Sequence, residues 1–593
     1  CEASTSSISP GGTADDSTSP THKPSSTSSS VKRNSAVDDE RRRTLFRRMT
    51  NVGRFSLLSE TKQNPSVPVM VLAMTGKPFL PQDFTRLYRE RRIPEKHPRF
   101  AAHLDARRTH FVHYNPPHHQ QENDDDVLFG NAAAAPPPPV REVLYPMIRR
   151  AELKDRINDA IREPLNLGIR LWEARTCTGG AIGQSGAIQS QKVAELLSQE
   201  QKTINKTNDV DVESLLFFRA HHCMADGVSL GALFGDLVDE GPEFQEKIAK
   251  AVHAFKTRRA KTPWWKRLLF FLYYWCWGSV RALFYQLYLY IVSWASPVSP
   301  WSILRRVYSE RKGLKPGEDI WEARSLSWAQ VASVEDLKQL AEHYSRKAKT
   351  RITINDIFCS CVSAAIVKQL QYHRAVSDTL GLKLELPYMN LVIPVHLSGG
   401  IILPGQSMGN KIGAMVSRIP AEDGIDTSST SAKMAEDRLI SVNKVLTERK
   451  QTPAAVLSYL MASVMGFMGR GVSSSSTMGL DDEEDEGPPS SFWLPFLFEK
   501  AHANASVVVT NVRGPEKLIH LDGRPVHRSL GFLPLPPGIP IGVVVSSYNQ
   551  QVSLTVTAEP WAVPNADQFL DWVAEEYASL RSQAFGIEAV SNL

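Results

Sequence analysis

Two adjacent histidines, a carboxylate four residues past the second, and a glycine stand together in His221-His222-Cys223-Met224-Ala225-Asp226-Gly227. An imidazole titrates near neutral pH and can take a proton and give it back, so this grouping suits general-base chemistry. Asp226 reads as the group that holds the local geometry, and Gly227 as a residue that permits a close or left-handed backbone turn. A lone histidine beside a strand is most often a satisfied structural residue. Two histidines, an aspartate and a glycine in one register shift the reading to a catalytic corner. The elements that must position them flank them directly. Residues 215–220 are an apolar run that reads as a strand, and Leu230, Leu233, Phe234 and Leu237 recur at the spacing of a buried helical stripe. The histidines therefore sit at a strand-to-helix bend.

The chain of 593 residues is 42% hydrophobic and 22% charged, the balance of a folded protein with room for two domains and insertions. A net charge of +5 is too mild to point to nucleic acid. The six cysteines form no CxxC pair and no disulfide framework, and Cys359 and Cys361 point in different directions on a helical pattern, which reads as a reduced, cytosol-facing protein. Residues 1–54 are expected to be disordered, because residues 1–40 are rich in Ser, Thr, Pro and Gly and carry almost no large apolar side chain. They contain no apolar stretch of the secretory kind. The basic patch 41–48 reads as a solvated face, with attraction to a membrane surface as the sharper alternative. His118 and His119 fall in a polar loop and read as solvent-exposed rather than as metal ligands. That loop, the Ala/Pro run 132–139, the Gly/Ser/Gln loop 178–191 and the acidic run 481–486 read as surface insertions.

The sharpest compositional change is residues 268–294, LLFFLYYWCWGSVRALFYQLYLYIVSW, broken only by Arg281 and Gln286 among strongly polar side chains. About 27 residues could span a bilayer once, and a central arginine costs about 3 kcal/mol on insertion scales. A single span, however, would separate two halves that build one site, and two spans need about 40 residues. Lys256, Arg258, Arg259, Lys261, Lys266 and Arg267 precede the stretch, and Arg305, Arg306, Arg311, Lys312 and Lys315 follow it. Basic residues on both sides suit two ends facing one anionic leaflet. The expected form is a monotopic or re-entrant anchor, with a buried helix pair and a single span as the alternatives.

Elsewhere strands and helices alternate. Residues 67–74 read as a strand and 84–92 as a helix, followed by HPRF at 97–100. Thr353-Ile354-Asn355-Asp356 opens a helix with an apolar face at Ile357, Phe358, Cys361, Val362, Ala365 and Ile366. Thr353 and Asp356 have capping-box spacing, and fixed polar groups at a helix start can shape a pocket. Residues 391–397 read as a strand, and 453–468 as a helix whose methionines belong to the core. Residues 506–510 read as a strand running into a tight turn at Asn511-Val512-Arg513-Gly514-Pro515. Residues 541–549 and 552–558 pair as a hairpin, and a last helix carries Phe569, Trp572, Val573 and Tyr577.

HHCMADG matches the HHxxxDG signature of the coenzyme A-dependent acyltransferase superfamily, which includes chloramphenicol acetyltransferase and peptide-synthetase condensation domains. Four further stretches occur in order. Pro164-Leu165 with Leu171-Trp172-Glu173, Asn355-Asp356, Met408-Gly409-Asn410 with Arg418-Ile419-Pro420, and Asn511-Val512-Arg513-Gly514-Pro515 resemble the PLW, ND, GN…LP and NVPGP segments of the bifunctional wax ester synthase/diacylglycerol acyltransferases (WS/DGAT). Arg513 departs from the family proline, which loosens that loop and adds a charge. The resemblance runs from about residue 56 to the end.

It implies an α/β fold of two chloramphenicol-acetyltransferase-like subdomains, with mixed sheets flanked by helices and a tunnel between them. Residues 55–262 would form the first, 263–303 the membrane-associating segment and 304–593 the second. The implied activity is transfer of a fatty acyl group from acyl-CoA to a long-chain alcohol and/or diacylglycerol, giving wax esters and/or triacylglycerol. His222 would be the general base, Asp226 the organiser of the corner, and His221 a supporting or tunnel-lining residue. Gly227 would let substrate approach the backbone, and Asn355, Asp356, Asn511, Gly514 and Pro515 would shape the pocket. No metal and no cofactor beyond acyl-CoA as co-substrate is implied. The partners would be the two substrates and a membrane or lipid-droplet surface, not nucleic acid. The endoplasmic reticulum facing the cytosol is the implied location, with lipid droplet or plasma membrane as alternatives. The rival readings are a non-catalytic lipid-binding or scaffold protein on the same fold and an acyltransferase for another small alcohol. The DFGWG motif of soluble plant acyltransferases is not found, nor is a carrier-protein segment of the kind that accompanies condensation domains.

Overall fold

The computed structural model describes residues 45–60, 64–105, 108–113, 140–142, 150–178, 214–295, 299–315, 320, 322–377, 388–397, 409–421, 431–468 and 505–586. His118, His119, Met408, the run 132–139 and the acidic run 481–486 lie outside them, as does nearly all of 178–191. The expected disorder of residues 1–54 fails at its end. Strand β1 (Leu45–Arg48) pairs with a later strand, and helix α1 (Asn51–Leu58) follows, capped by Thr50. The basic patch therefore ends in a strand, with Arg47 and Arg48 exposed.

Two six-stranded mixed sheets make up the fold. Strand β2 (Val69–Met74) leads to α2 (Pro81–Glu90), the short α3 (Ile93–Lys96) and a 3-10 turn over Pro98–Ala101. Strands β3 (Ala102–Leu104) and β4 (His110–His113) join β1 in a small sheet, ordered β1-β4-β3. Then come β5 (Val140–Glu142), α4 (Arg150–Arg162), β6 (Trp172–Thr178), β7 (Ser214–Ala220), α5 (Gly227–Leu237) and α6 (Gly241–Lys261). Every side chain of β7 is buried, as expected of a strand covered on both faces. Trp172 stacks on Phe218 of β7 with ring centroids 5.5 Å apart, and its indole N–H donates to the Phe100 carbonyl at 2.8 Å.

Helices α7 (Trp264–Phe271), α8 (Gly278–Ala295) and α9 (Pro300–Arg311) lead to the second sheet, which begins with β8 (Ser325–Ser333), followed by α10 (Val334–Ala348) and α11 (Ile354–Ser377). It continues with β9 (Tyr388–His396), β10 (Ile412–Pro420), α12 (Ser431–Lys450), α13 (Ala454–Met468) and β11 (Val507–Arg513). After β12 (Ile519–Leu521) and β13 (Arg524–Phe532), strands β14 (Ile541–Tyr548) and β15 (Gln551–Ala558) form the expected hairpin, and α14 (Ala566–Phe585) closes the chain. Its order is β10-β9-β11-β14-β15-β8. The apolar faces of α11 (Ile357, Phe358, Val362, Ile366) and α14 (Phe569, Val573, Tyr577) bury together in its core. The architecture is thus the expected α/β arrangement of two mixed sheets with flanking helices.

The division at residues 304–593 is not clean in space. The first sheet runs β12-β13-β2-β7-β6-β5, so a hairpin from the second half completes the first lobe, with β13 antiparallel to β2 from Val526↔Met74 to Phe532↔Val69. Nothing local in residues 519–532 tells which sheet they join.

The aromatic stretch is helical throughout. Helix α7 (Trp264–Phe271) passes through a π-helical turn (Leu272–Trp277) into α8 (Gly278–Ala295), and α9 (Pro300–Arg311) follows. Among the described residues no helix is long and apolar enough to cross a membrane. Nor is it a buried pair. Trp264 is 74% exposed and Phe284 69%, and only the inner face of α8, at Ala282 and Leu289, is buried. The expectation that 453–468 is a core helix also fails on one side. Leu460, Met461, Val464 and Phe467 of α13 form an exposed apolar row, because only the opposite face packs on α1 and β10. A Cβ added to Gly413 of β10 would lie 1.8 Å from the Ala455 carbonyl oxygen, so glycine is what lets α13 seat there. Gly413→Ala should therefore lower stability by about 1–3 kcal/mol, seen as a lower urea midpoint at unchanged slope. An unchanged midpoint would mean that α13 does not seat on β10 in this way.

Candidate active site

The corner between β7 and α5 is held by backbone and side chain at every step. The His221 amide donates to the Leu171 carbonyl and the His222 amide to the Ser66 carbonyl, each at 2.8 Å. The buried guanidinium of Arg99, from the HPRF segment, donates to the Met224 carbonyl at 2.7 Å. Helix α1 presses on the same bend, where a Cβ on Gly53 would come within 2.6 Å of the Cys223 carbonyl oxygen.

The two histidines are fixed differently. The fully buried His221 ring bonds through Nε2 to Glu60 at 3.0 Å, while its Nδ1 accepts the Cys223 backbone N–H at 3.0 Å. With Nδ1 accepting that N–H, the ring carries its proton on Nε2 and donates it to Glu60. Both nitrogens are occupied, and His221 does not face the cavity. His222 does. Its Nδ1 lies 3.3 Å from the Ala225 carbonyl oxygen. A carbonyl can only accept, so the proton sits on Nδ1, and Nε2 keeps its lone pair. Desolvation lowers the His222 pKa below 6.5; the Ala225 bond opposes this, His221 adds to it, and Asp226 opposes it. The neutral, proton-accepting ring is therefore the resting form at pH 7.

Asp226 lies wholly buried behind that ring. Its Oδ1 caps α5 by accepting the Ser229 amide at 2.8 Å, and its Oδ2 accepts the Lys411 amide at 2.9 Å. His396 Nε2, at the end of β9, stands 3.4 Å from the same Oδ2. Desolvation opposes ionisation of Asp226, yet the bonds from His396, Lys411 and Ser229 outweigh it and hold its pKa below 3.8. Gly227 departs from expectation. It is not among the glycines with positive φ, and a Cβ there would meet nothing within 4 Å. Its glycine is not needed for a left-handed turn; it leaves the cavity wall open beside His222.

Between the lobes lies a cavity of about 1810 Å³, lined from both. Of the residues singled out in the sequence, His222, Gly227, Asn355, Asn511, Gly514 and Pro515 reach it, whereas His221, Asp226 and Asp356 stand behind its wall. Asn355 presents a buried side-chain oxygen with no hydrogen-bond partner among the described residues. Asp356 turns inward to Thr353, Asn443 and Lys450, completing the capping box with Thr353. Strand β11 continues to Arg513, so Asn511 lies within a strand rather than in the expected turn. The Gly514 amide donates to the Ser547 carbonyl at 2.8 Å, where a Cβ would fall 2.5 Å from that oxygen. Arg513 is exposed at the rim.

Three residues were not assigned to the site from the sequence. Asn410 donates to the His222 carbonyl at 3.4 Å and to Ser56 Oγ at 3.2 Å, and lines the cavity. His396 carried the same signal as His222, a histidine closing an apolar strand. Glu60 carried none. Among the described residues, no group of three or more His, Cys, Asp or Glu side chains is placed to hold a metal ion.

Comparison with known proteins bears on the second lobe. The family model of the WS/DGAT C-terminal domain matches residues 408–581. To the cavity the matched residues bring Asn410, Asn511, Gly514 and Pro515, and behind its wall the Lys411 amide that holds Asp226; the His222 corner lies outside the match. A putative diacylglycerol O-acyltransferase of Mycobacterium bovis and a probable one of Mycobacterium tuberculosis are each 29% identical over 91 residues, 15% of this chain. The match spans about a fifth, 19%, of the length of those relatives. Among solved structures, the wax ester synthase/diacylglycerol acyltransferase of Marinobacter aquaeolei is 14% identical, with 91% of this chain and 99% of that chain covered and a TM-score of 0.48. The trichothecene 15-O-acetyltransferase of Fusarium sporotrichioides is 11% identical, with 90% and 94% covered and a TM-score of 0.46.

Asp226→Ala removes a helix cap and strands the Lys411 amide, so it should cost about 2–4 kcal/mol, whereas Asp226→Asn keeps an acceptor and should cost less. The lost contribution belongs to the ionised carboxylate. In the wild type it is present above pH 3.8 and disappears as pH falls through the depressed folded-state pKa. Urea unfolding at pH 7 and in acid measures both, and a variant as stable as the wild type at pH 7 would contradict the clamp.

Proposed function

We propose that the chain is a membrane-associated, acyl-CoA-dependent O-acyltransferase that moves a fatty acyl group to a long-chain alcohol and/or diacylglycerol. The observation that carries the reading is His222, a neutral imidazole with its Nδ1 proton tied to Ala225, lining a cavity large enough for two substrates. The match of residues 408–581 to the WS/DGAT C-terminal domain and the names of the mycobacterial relatives support the substrate class. His222 Nε2 takes the hydroxyl proton as the alcohol oxygen attacks the thioester carbonyl carbon. A C–O bond forms, the C–S bond breaks, and the proton passes from Nε2 to the departing coenzyme A thiolate. Asp226 is a positioning residue, and Asn355 and Asn511 shape the pocket wall near the reacting carbonyl. Acyl-CoA is a co-substrate and no resident cofactor is required. A mostly apolar cavity brings thioester and alcohol together and keeps out water that would hydrolyse the donor.

The membrane enters through the outer surface. The exposed aromatic face of α7 and α8, the apolar row of α13 and the exposed cations Lys266, Arg267, Arg305, Arg306 and Arg311 suit an interfacial seat on an anionic leaflet. Leu283 of α8 and Met461 of α13 are both exposed and line the cavity, so acceptor and product can pass between cavity and lipid there. The cytosolic face of the endoplasmic reticulum is the proposed site of action, with a lipid-droplet surface or the plasma membrane as the alternatives.

Purified chain given labelled palmitoyl-CoA with hexadecanol or diacylglycerol should form the corresponding ester, and His222→Ala should lower kcat by about 10²–10⁴-fold. The rate should fall on the acid side as pH drops through the lowered His222 pKa, below 6.5. Ester formation undiminished in His222→Ala would overturn the assignment, and no ester with either acceptor would favour a lipid-surface scaffold.

A further inference from the structure

Arg449, the next-to-last residue of α12, lies in the cavity wall with its side chain almost wholly buried, 7% of the residue being exposed. Its guanidinium carbon stands 3.5 Å from the centroid of the Tyr285 ring on α8. Nε and Nη1 are buried and donate to nothing among the described residues. Stacking on an aromatic ring attracts the charge but supplies no acceptor for those N–H groups. Two unmade bonds to a charged group are costly, so the arrangement is incomplete as it stands.

The surroundings are cationic. Arg418 lies over the Tyr388 ring at 4.7 Å, its Nε is likewise buried without a partner, and its backbone N–H donates to the Tyr285 hydroxyl at 2.9 Å. Arg281, one helical turn before Tyr285, acts on Arg449 as a like charge. Desolvation lowers the Arg449 pKa first, with Tyr285 and Glu448 opposing and Arg281 adding to it. No ion pair joins Arg281, Arg418 or Arg449 to a carboxylate among the described residues, and the neighbouring Lys450 is taken by Asp356 at 2.7 Å. Of the three, Arg449 lines the cavity, and its Nε and Nη1 lack an acceptor among the described residues.

We propose that Arg449, backed by Arg281 and Arg418, is an anion-binding site that takes a phosphate group carried into the cavity by a substrate or a bilayer lipid. A guanidinium fork matches the oxygens of a phosphate, and the paired charged bonds would replace those Nε and Nη1 lack. Two sources share this chemistry, the phosphates of the coenzyme A moiety and the headgroup of a lipid at the α8–α13 surface. The coenzyme A source rests on the acyl-transfer reading; the binding site itself does not.

Inorganic pyrophosphate titrated into the full chain reads binding without catalysis. It should bind the wild type and bind Arg449→Gln about 10- to 100-fold more weakly, with Arg449→Lys between them. If coenzyme A is the source, the preference for palmitoyl-CoA over palmitoyl-pantetheine in KM should collapse in Arg449→Gln. If a lipid is the source, flotation on phosphatidylcholine vesicles containing phosphatidate should weaken instead. Should Arg449→Gln fail to fold, Arg281→Gln, which removes a half-buried neighbouring charge, should weaken pyrophosphate binding in the same direction. Pyrophosphate bound equally by wild type and variants would overturn the site, whatever the acyltransferase assay shows. A missing ester product with pyrophosphate binding intact would instead count against the acyl-transfer reading alone.

Discussion

A buried carboxylate must find donors or leave, and Asp226 finds them on both lobes. The Ser229 amide comes from its own helix, the Lys411 amide and His396 from the second lobe. Those bonds offset the desolvation of the charge, and in doing so they dock residues 409–411 against the β7–α5 corner. Ser229 Oγ bonding to the Gly409 carbonyl at 3.1 Å and Asn410 reaching the His222 carbonyl reinforce the same seam. Beyond that seam β10 begins, α13 seats on β10, and the outer wall of the cavity follows. Asp226 is thus in this structure a clamp between the two halves. It never touches the Nδ1–H of His222, which belongs to Ala225.

Much of the site was legible because it is local. The strand, the corner and the helix around His222 are contiguous, and their periodicities change where the two histidines stand. The capping pair Thr353 and Asp356 was likewise written in a short spacing. What was not legible depends on distant chain. Glu60 becomes the partner of His221 only because α1 folds back on the corner, and α1 adjoins a segment whose composition argues disorder. Asn410 and His396 lie more than 150 residues from His222 in sequence, and no periodicity announces that they share a cavity with it. The hairpin 519–532 reads as strands but does not say that it completes the other lobe's sheet. The apolar pattern of α13 could not tell burial from exposure, because a helix with apolar side chains on two faces fits either.

The outer apolar surface and the inner cavity share walls. Helix α8 turns Phe284 and Leu287 outward while Ala282 and Tyr285 face in, and α13 exposes Val464 while Ser458 and Met465 line the cavity. Soluble monomers rarely expose contiguous apolar patches of this kind without a use for them. A surface that costs free energy in water, backed by a hollow lined largely with apolar atoms, is the physical link between the proposed lipid seat and the proposed chemistry. Arg449, beneath Tyr285, is the one buried cation on that shared wall among the described residues.

The proposed chemistry depends on His222 resting as a neutral ring protonated on Nδ1, with Nε2 open to the cavity. Nitrogen NMR of ring-labelled histidine, with His222 assigned by its loss in His222→Asn, measures this directly. At pH 7 Nδ1 should be protonated and Nε2 unprotonated, with a titration midpoint below 6.5. A His222 ring protonated on Nε2, or on both nitrogens at pH 7, would contradict it.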